Sequence, residues 1–376
     1  MECSIYYRVD VPFVRGYEAQ DALEDIFSSK LDLLRKLEFT LLEETQHEFA
    51  MKQMLSCSTT LVYGQKLLLL ERVNHYGLFQ VCISPSIGSV PLTVLVEFDK
   101  LSPIASLNSS TTKALQVGLV LVLRRHWTLL TLVDNKANKH SLYLPMGSVV
   151  AVDDEGNILD GRIQGYSIGK KETLDLQHLK QVMSVSKNNL CHLSDEKNSC
   201  EQLFRWQLVT TAKGFERMPF QDGGNVPLFP EQLSQEGLDC SVLGFDSPGF
   251  VHMLWLKLGL VIPRSLRELY SSLNANDPNG GIPKSKDTLL PGRVRIEPGD
   301  LMFWRRDGEL IHVSMLENSQ SVIGVNQQEG FVKAKTLLEV CGMGASEVLS
   351  GWNSLFDARE TEIKVLSCKK WLEQLM

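Results

Sequence analysis

The chain has 376 residues, 43% of them hydrophobic and 22% charged, with 27 Gly and 14 Pro. Those proportions are ordinary for globular proteins and exclude collagen-like, coiled-coil and disordered classes, and the length gives a prior of about 2.5 domains. The 38 Lys and Arg stand against 45 Asp and Glu, a net charge of -7, which argues against a general nucleic-acid binder because such proteins need a basic footprint.

The N-terminus, Met1-Glu2-Cys3-Ser4-Ile5-Tyr6-Tyr7-Arg8, lacks the basic start and apolar run of a secretory signal. The longest strongly apolar stretch, Val117 to Leu123, has seven residues, against about 20 for a membrane span. The expectation is a cytoplasmic protein with no membrane contact. The eight cysteines are scattered and include no C-x-x-C pair, so they read as thiols rather than a zinc ribbon or a disulfide frame. Cys191-His192 with Cys200 reads as a polar loop carrying incidental thiols. No cofactor or metal site is expected.

From Tyr17 to about Met54, apolar residues from Leu23 to Leu42 recur mostly at three- and four-residue steps, the period of a helix or a helical hairpin. From Thr59 the pattern changes to short apolar runs broken by Gly and Asn, the mark of strands joined by tight turns. Leu61 to Leu70 and Leu78 to Val81 form one set. Val117 to Leu123, Trp127 to Val133, Ser141 to Leu144 and Val149-Val150 form a second. Two groups of short strands fit two small β-barrels. Ser184 to Ser199 is largely polar and reads as a linker or long loop. Beyond it, Leu203 to Phe215 and Pro248 to Gly259 read as helices. Leu301 to Trp304, Ile311 to Leu316 and Ser321 to Val325 read as strands. Helices followed by strands predict an α+β domain.

Chemistry-bearing residues sit at two places in that last region. Ser247 follows Asp246 and directly precedes Pro248, so it falls at a helix start, where the dipole favours an anion. His312 falls on a strand after the Asp307-Gly308 turn. A nucleophile on a helix start and a strand histidine suit nucleophilic hydrolysis when they meet.

Five stretches, in order, resemble the NlpC-type cell-wall peptidases, a papain-like family. Ala212 to Gly224 resembles the entry helix and P-Y-x-W-G-G loop. Gly244-Phe245-Asp246-Ser247-Pro248-Gly249-Phe250-Val251 resembles the nucleophile motif G-F-D-C-S-G-F-V. Leu258 to Ser265 resembles L-G-I-x-L-P-R-D-S, Pro298 to Phe303 resembles P-G-D-L-V-F-F, and Ile311 to Met315 resembles I-x-H-V-G-I-Y. Tyr63-Gly64-Gln65 and Leu144-Pro145-Met146-Gly147 resemble the bacterial SH3 domains that precede the peptidase in γ-D-glutamyl-L-diamino-acid endopeptidases. The resemblance implies an SH3-like domain over 1–105 carrying the helical segment 17–54, a second over 106–195, and a papain-like domain over 196–376. It implies a substrate of the L-Ala-γ-D-Glu-diamino-acid type. It places Ser247 and His312 at catalytic positions and Asp246, Ser265 and Phe220 at substrate-binding ones.

The departures fall on the chemistry. The nucleophile cysteine is replaced by Ser247, and the serine after it by Pro248. The third catalytic position, polar in the family, falls on Gly324; Asn326, two residues on, is the candidate substitute. A serine hydroxyl needs a well-placed base where a thiol is already partly ionised. The expectation is a lapsed or weak enzyme that binds cell-wall peptide or a protein partner. The alternative is an active hydrolase using Ser247 with His312, or a nucleophile displaced to Cys240.

Overall fold

Short apolar runs build the two larger sheets of the computed structural model. It describes residues 5–10, 13–18, 57–73, 76–82, 93–104, 120–122, 127–133, 139–151, 196–227, 243–258, 260, 262–274, 297–341, 355–356, 362–369 and 371–372. The chain divides into two compact units. One takes residues 1–84, 91–180 and 222–242; the other takes 85–90, 181–221 and 243–376.

In the first unit, β1 (Tyr6–Val9), β2 (Phe13–Glu18), β3 (Cys57–Val62), β4 (Lys66–Val73), β5 (Tyr76–Cys82), β6 (Thr93–Glu97) and β7 (Leu101–Pro103) form one sheet. Its order is β3-β2-β6-β5-β4-β1-β7. Val9, Leu61, Leu67, Phe79, Val94 and Val96 fill the core. Strand β8 (Val120–Val122) pairs with β11 (Val149–Ala151), and β9 (Trp127–Val133) with β10 (Lys139–Pro145). Both sets of strands read from the sequence are therefore present. Val149 donates its N–H to the Tyr63 carbonyl at 2.8 Å, joining the second set to the β3–β4 turn. The short β12 (Asn225–Val226) lies near β3, and Thr60 donates to the Gly223 carbonyl. Tyr17 and Glu18, where the helical pattern begins, close strand β2 instead. The rest of that stretch, 19–54, lies outside the described residues.

The second unit is α+β, as the pattern predicts. It contains α1 (Glu196–Lys213), β13 (Gly244–Phe245), α2 (Ser247–Leu258), α3 (Leu266–Asn274), β14 (Leu301–Arg306), β15 (Glu309–Asn318), β16 (Ser321–Val325), β17 (Val332–Thr336), α4 (Leu337–Cys341), β18 (Leu355–Phe356) and β19 (Glu362–Leu366). The strands form an antiparallel sheet in the order β17-β16-β15-β14-β19-β18. Helix α2 buries Phe250, Val251, Leu254 and Trp255 and packs against α1, β15 and β16. A further cluster of Met302, Trp304, Leu316, Val322, Leu337 and Ile363 packs between sheet residues and α4. The β14–β15 hairpin turns on Asp307 and Gly308, both at positive φ, as a two-residue turn matched to strand twist requires. Among the described residues no helix is long and apolar enough to cross a membrane.

The Pro298-Gly299-Asp300 stretch is a structural clasp. Arg205 of α1 donates to the Pro298 carbonyl at 2.8 Å and to Asp300 Oδ1 at 2.9 Å. Glu201 and Glu297 also pair with Arg205. Asp300 accepts the Cys368 N–H as well. A carboxylate this deeply buried (1% exposed) is held by an opposite charge and by hydrogen bonds.

Candidate active site

The helix start is built by Asp246. It sits one residue ahead of α2 as the N-cap, and its Oδ1 accepts the Gly249 N–H at 2.6 Å, satisfying one of the free donors of the first turn. Its Oδ2 accepts from Arg264 Nη2 at 2.8 Å, with both side chains largely buried. Ser247 is the first helical residue and is buried. Pro248 follows where a missing N–H costs the helix nothing. Among the described residues the Ser247 hydroxyl makes no hydrogen bond.

A loop runs alongside. Phe245 donates its N–H to the Pro219 carbonyl, and Gln221 donates to the Phe245 carbonyl, each at 3.0 Å. Gly244, at φ +138°, allows this approach, because an added Cβ would lie 2.6 Å from the Pro219 carbonyl oxygen. Phe220 donates its N–H to the Gly330 carbonyl at 2.8 Å. Its backbone therefore ties the loop both to the strand before Ser247 and to the turn after β16.

His312 lies on β15, the strand against which α2 packs. It stands opposite Trp304 of β14, with the two rings 4.8 Å apart. Its Nε2 is hydrogen-bonded to Ser314 Oγ at 2.9 Å. Residues two apart on a strand share a face, so this bond follows from the strand itself. The imidazole pKa is lowered to about 4, first by burial and then by the positive Lys335 of β17. Lys335 is itself paired with Glu329. The ring is thus neutral at neutral pH.

The structure accounts for the other residues singled out in the sequence. Asn326 lies just past the end of β16. Its Oδ1 accepts the Glu329 N–H at 2.8 Å and its carbonyl accepts the Gly330 N–H. It closes a turn, and among the described residues the imidazole's partner is Ser314 instead. Strand alternation does not reach Asn326 because the strand stops at Val325. Ser265 caps α3, its Oγ accepting the Glu268 N–H at 3.2 Å. Cys240, Cys191 and His192 lie outside the described residues.

The chain is similar to solved proteins of the NlpC/P60 family. One is an NlpC/P60 family protein from Bacillus cereus, at 15% identity and TM-score 0.49, over 88% of this chain and 94% of that one. Another is NlpC2 from Trichomonas vaginalis, at 12% identity and TM-score 0.27, over 89% of this chain and 93% of that one. A third is RipD from Mycobacterium tuberculosis, described as a non-catalytic NlpC/p60 domain protein adapted to peptidoglycan binding. It matches at 16% identity and TM-score 0.26, over 44% of this chain and 96% of that one. No protein-family model matches the chain, and no curated protein matches it by sequence.

Two residues not singled out from the sequence shape this site. Arg264 gives Asp246 its charge partner from 18 positions away. Ser314 holds the imidazole, and its signal was present: it stands where the resembling motif has glycine.

Proposed function

We propose that this chain derives from the muropeptide peptidases and binds a short cell-wall peptide of the L-Ala-γ-D-Glu-diamino-acid type, with cleavage lost or slow. The observation that supports it most directly is the state of the Ser247 and His312 pair. The serine hydroxyl has no hydrogen bond to a base among the described residues. The imidazole, with its pKa at about 4, sits well below the operating range of an effective general base. Serine attack requires such a base, whereas a thiol would ionise with far less help. Pro248 also removes a backbone donor beside the nucleophile position, where an oxyanion would gather charge. Asp246 remains at the helix start as the acidic group for a peptide amine, its charge oriented by Arg264 and the cap. In the same reading the strands of the first unit form two SH3-like barrels, over 1–105 and 106–195.

The test incubates L-Ala-γ-D-Glu-diamino-acid peptide with the protein and follows products by mass spectrometry, with binding measured by calorimetry. The expected result is binding without release of L-Ala-D-Glu, and release once Ser247→Cys restores the thiol. Release by the parent protein that vanishes in His312→Ala establishes an active hydrolase instead, and its loss in Ser247→Ala assigns the nucleophile to Ser247 rather than Cys240. Absence of binding in every variant overturns the peptide-binding reading and leaves a protein partner as the occupant.

A further inference from the structure

The residue that orients a catalytic histidine fixes which ring nitrogen carries the proton. In the motif this chain resembles, the position of Gly324 supplies that polar group, and Gly324 has no side chain to supply. The space where one would stand is filled. A Cβ on Gly324 would lie 2.3 Å from Ser314 Oγ and 3.0 Å from Ser314 Cβ. The β15–β16 register, Met315 opposite Ile323 and Leu316 opposite Val322, continues to set Ser314 opposite Gly324. Ser314 is 4% exposed, too deep to serve as a nucleophile toward a substrate in solvent. Its hydroxyl reaches His312 Nε2 at 2.9 Å. The glycine of the motif has thus become serine on β15, and the polar residue of the motif has become glycine on β16. The two changes fit each other sterically: each strand position excludes a side chain at the other.

We propose that Ser314 is the positioning residue of His312, taking from the neighbouring strand the role that Gly324 has given up. Its hydroxyl accepts from Nε2–H and leaves Nδ1 unprotonated and open to a nucleophile's proton. Among the described residues Nδ1 has no hydrogen-bond partner, and the tilted contact with Trp304 fixes the ring plane from the adjacent strand. The assignment rests on the reading of His312 as the base position, and it deepens that reading by explaining how the base is held without the usual third residue.

The experiment is nitrogen-15 NMR of the full chain at neutral pH, with the His312 ring signals identified by their absence in His312→Gln. The expected result is a single dominant tautomer, protonated at Nε2. Ser314→Ala removes the acceptor and moves the tautomer ratio about fivefold toward Nδ1–H, the ratio set by a hydrogen bond of ordinary net strength. The double variant Ser314→Gly with Gly324→Ser carries the hydroxyl to the other strand and restores the original ratio. It carries the test alone if Ser314→Ala folds poorly. Protonation at Nδ1 in the parent protein, or a ratio unmoved by Ser314→Ala, overturns the proposal. The readout needs no peptide, so failure to bind muropeptide and failure of Ser314 to set the tautomer are separate results.

Discussion

At the start of α2, Asp246 keeps both carboxylate oxygens engaged, one on the Gly249 N–H and one on Arg264. On the proposed reading the changed residues there are Ser247 and Pro248, while the cap and the ion pair that hold the helix start are kept. On β15 and β16 the opposite has happened. His312 is in place, but its surroundings are rearranged, with a hydroxyl on β15 and a bare glycine on β16. A change at Ser247 leaves the Asp246 cap and the Arg264 ion pair untouched. The strand pair is sterically coupled, so position 324 cannot take a side chain while Ser314 keeps its own.

The sharpest way to break that contrast is Ser247→Cys. If the helix start is intact, the new thiol attacks iodoacetamide, displacing iodide, or cleaves the peptide, on the order of 10³-fold faster than background, and the gain disappears when His312→Ala is added. Labelling followed by mass spectrometry measures it. A thiol as unreactive as a buried cysteine would show that the helix start has been lost as a reactive site too.

Next in size is Asp246→Ala. It removes a helix cap and takes the Asp246 carboxylate away from the buried Arg264 (side chain 5% exposed). The expected cost is about 3 kcal/mol, about 1 kcal/mol of it from the cap and the rest from the broken buried ion pair. Asp246→Asn keeps an acceptor for the cap and falls between the two. Denaturant unfolding of the second unit reads both. Equal stability in all three proteins would mean that Asp246 is not a scaffold residue.

Acid should reach both regions. His252 of α2 is buried with its Nδ1 at 2.8 Å from the Ile262 carbonyl, and its pKa is lowered to about 4 by burial and then by Arg264. His312 is lowered to about 4 as well. The unfolded chain titrates these groups near 6.5, so between about pH 6.5 and 4 it binds more protons than the folded chain. Stability is therefore full above that window and falls as the pH drops through it. His252 accounts for about 3 kcal/mol of the loss and the more exposed His312 for less. Thermal unfolding of His252→Gln should show a correspondingly flatter profile over the window.

Local patterns were legible and long-range partners were not. Pro248 and the apolar run to Leu258 announce α2, and Asp307-Gly308 announces the β14–β15 hairpin. Ser265 sits at the head of a Ser-x-x-Glu capping pattern, and its hydroxyl caps α3 as that pattern requires. Arg264 and Asp246 meet only because the chain folds back after α2, and nothing within a local window signals that. Asn326 was read through strand alternation, which has no force once the strand ends at Val325. Ser314 is the instructive case. Taken alone it is a serine in a buried strand, and Gly324 alone is a glycine where the resembling motif has a polar residue. Only the cross-strand register makes them one substitution in two places.

The smallest effect tests that coupling directly. Gly324→Ala in the parent protein drives a methyl to within 2.3 Å of Ser314 Oγ. Overpacking of this kind costs about 2 kcal/mol. In a Ser314→Gly background the same methyl enters vacated space, and most of that cost disappears. The double-mutant cycle, read by denaturant unfolding, should therefore return a coupling of about 1–2 kcal/mol, as residues in direct contact show. Additive costs would mean that the strand pair has room for both side chains. The glycine would then be an ordinary loss rather than half of an exchange, and the β15–β16 wall would have decayed in the same way as the helix start.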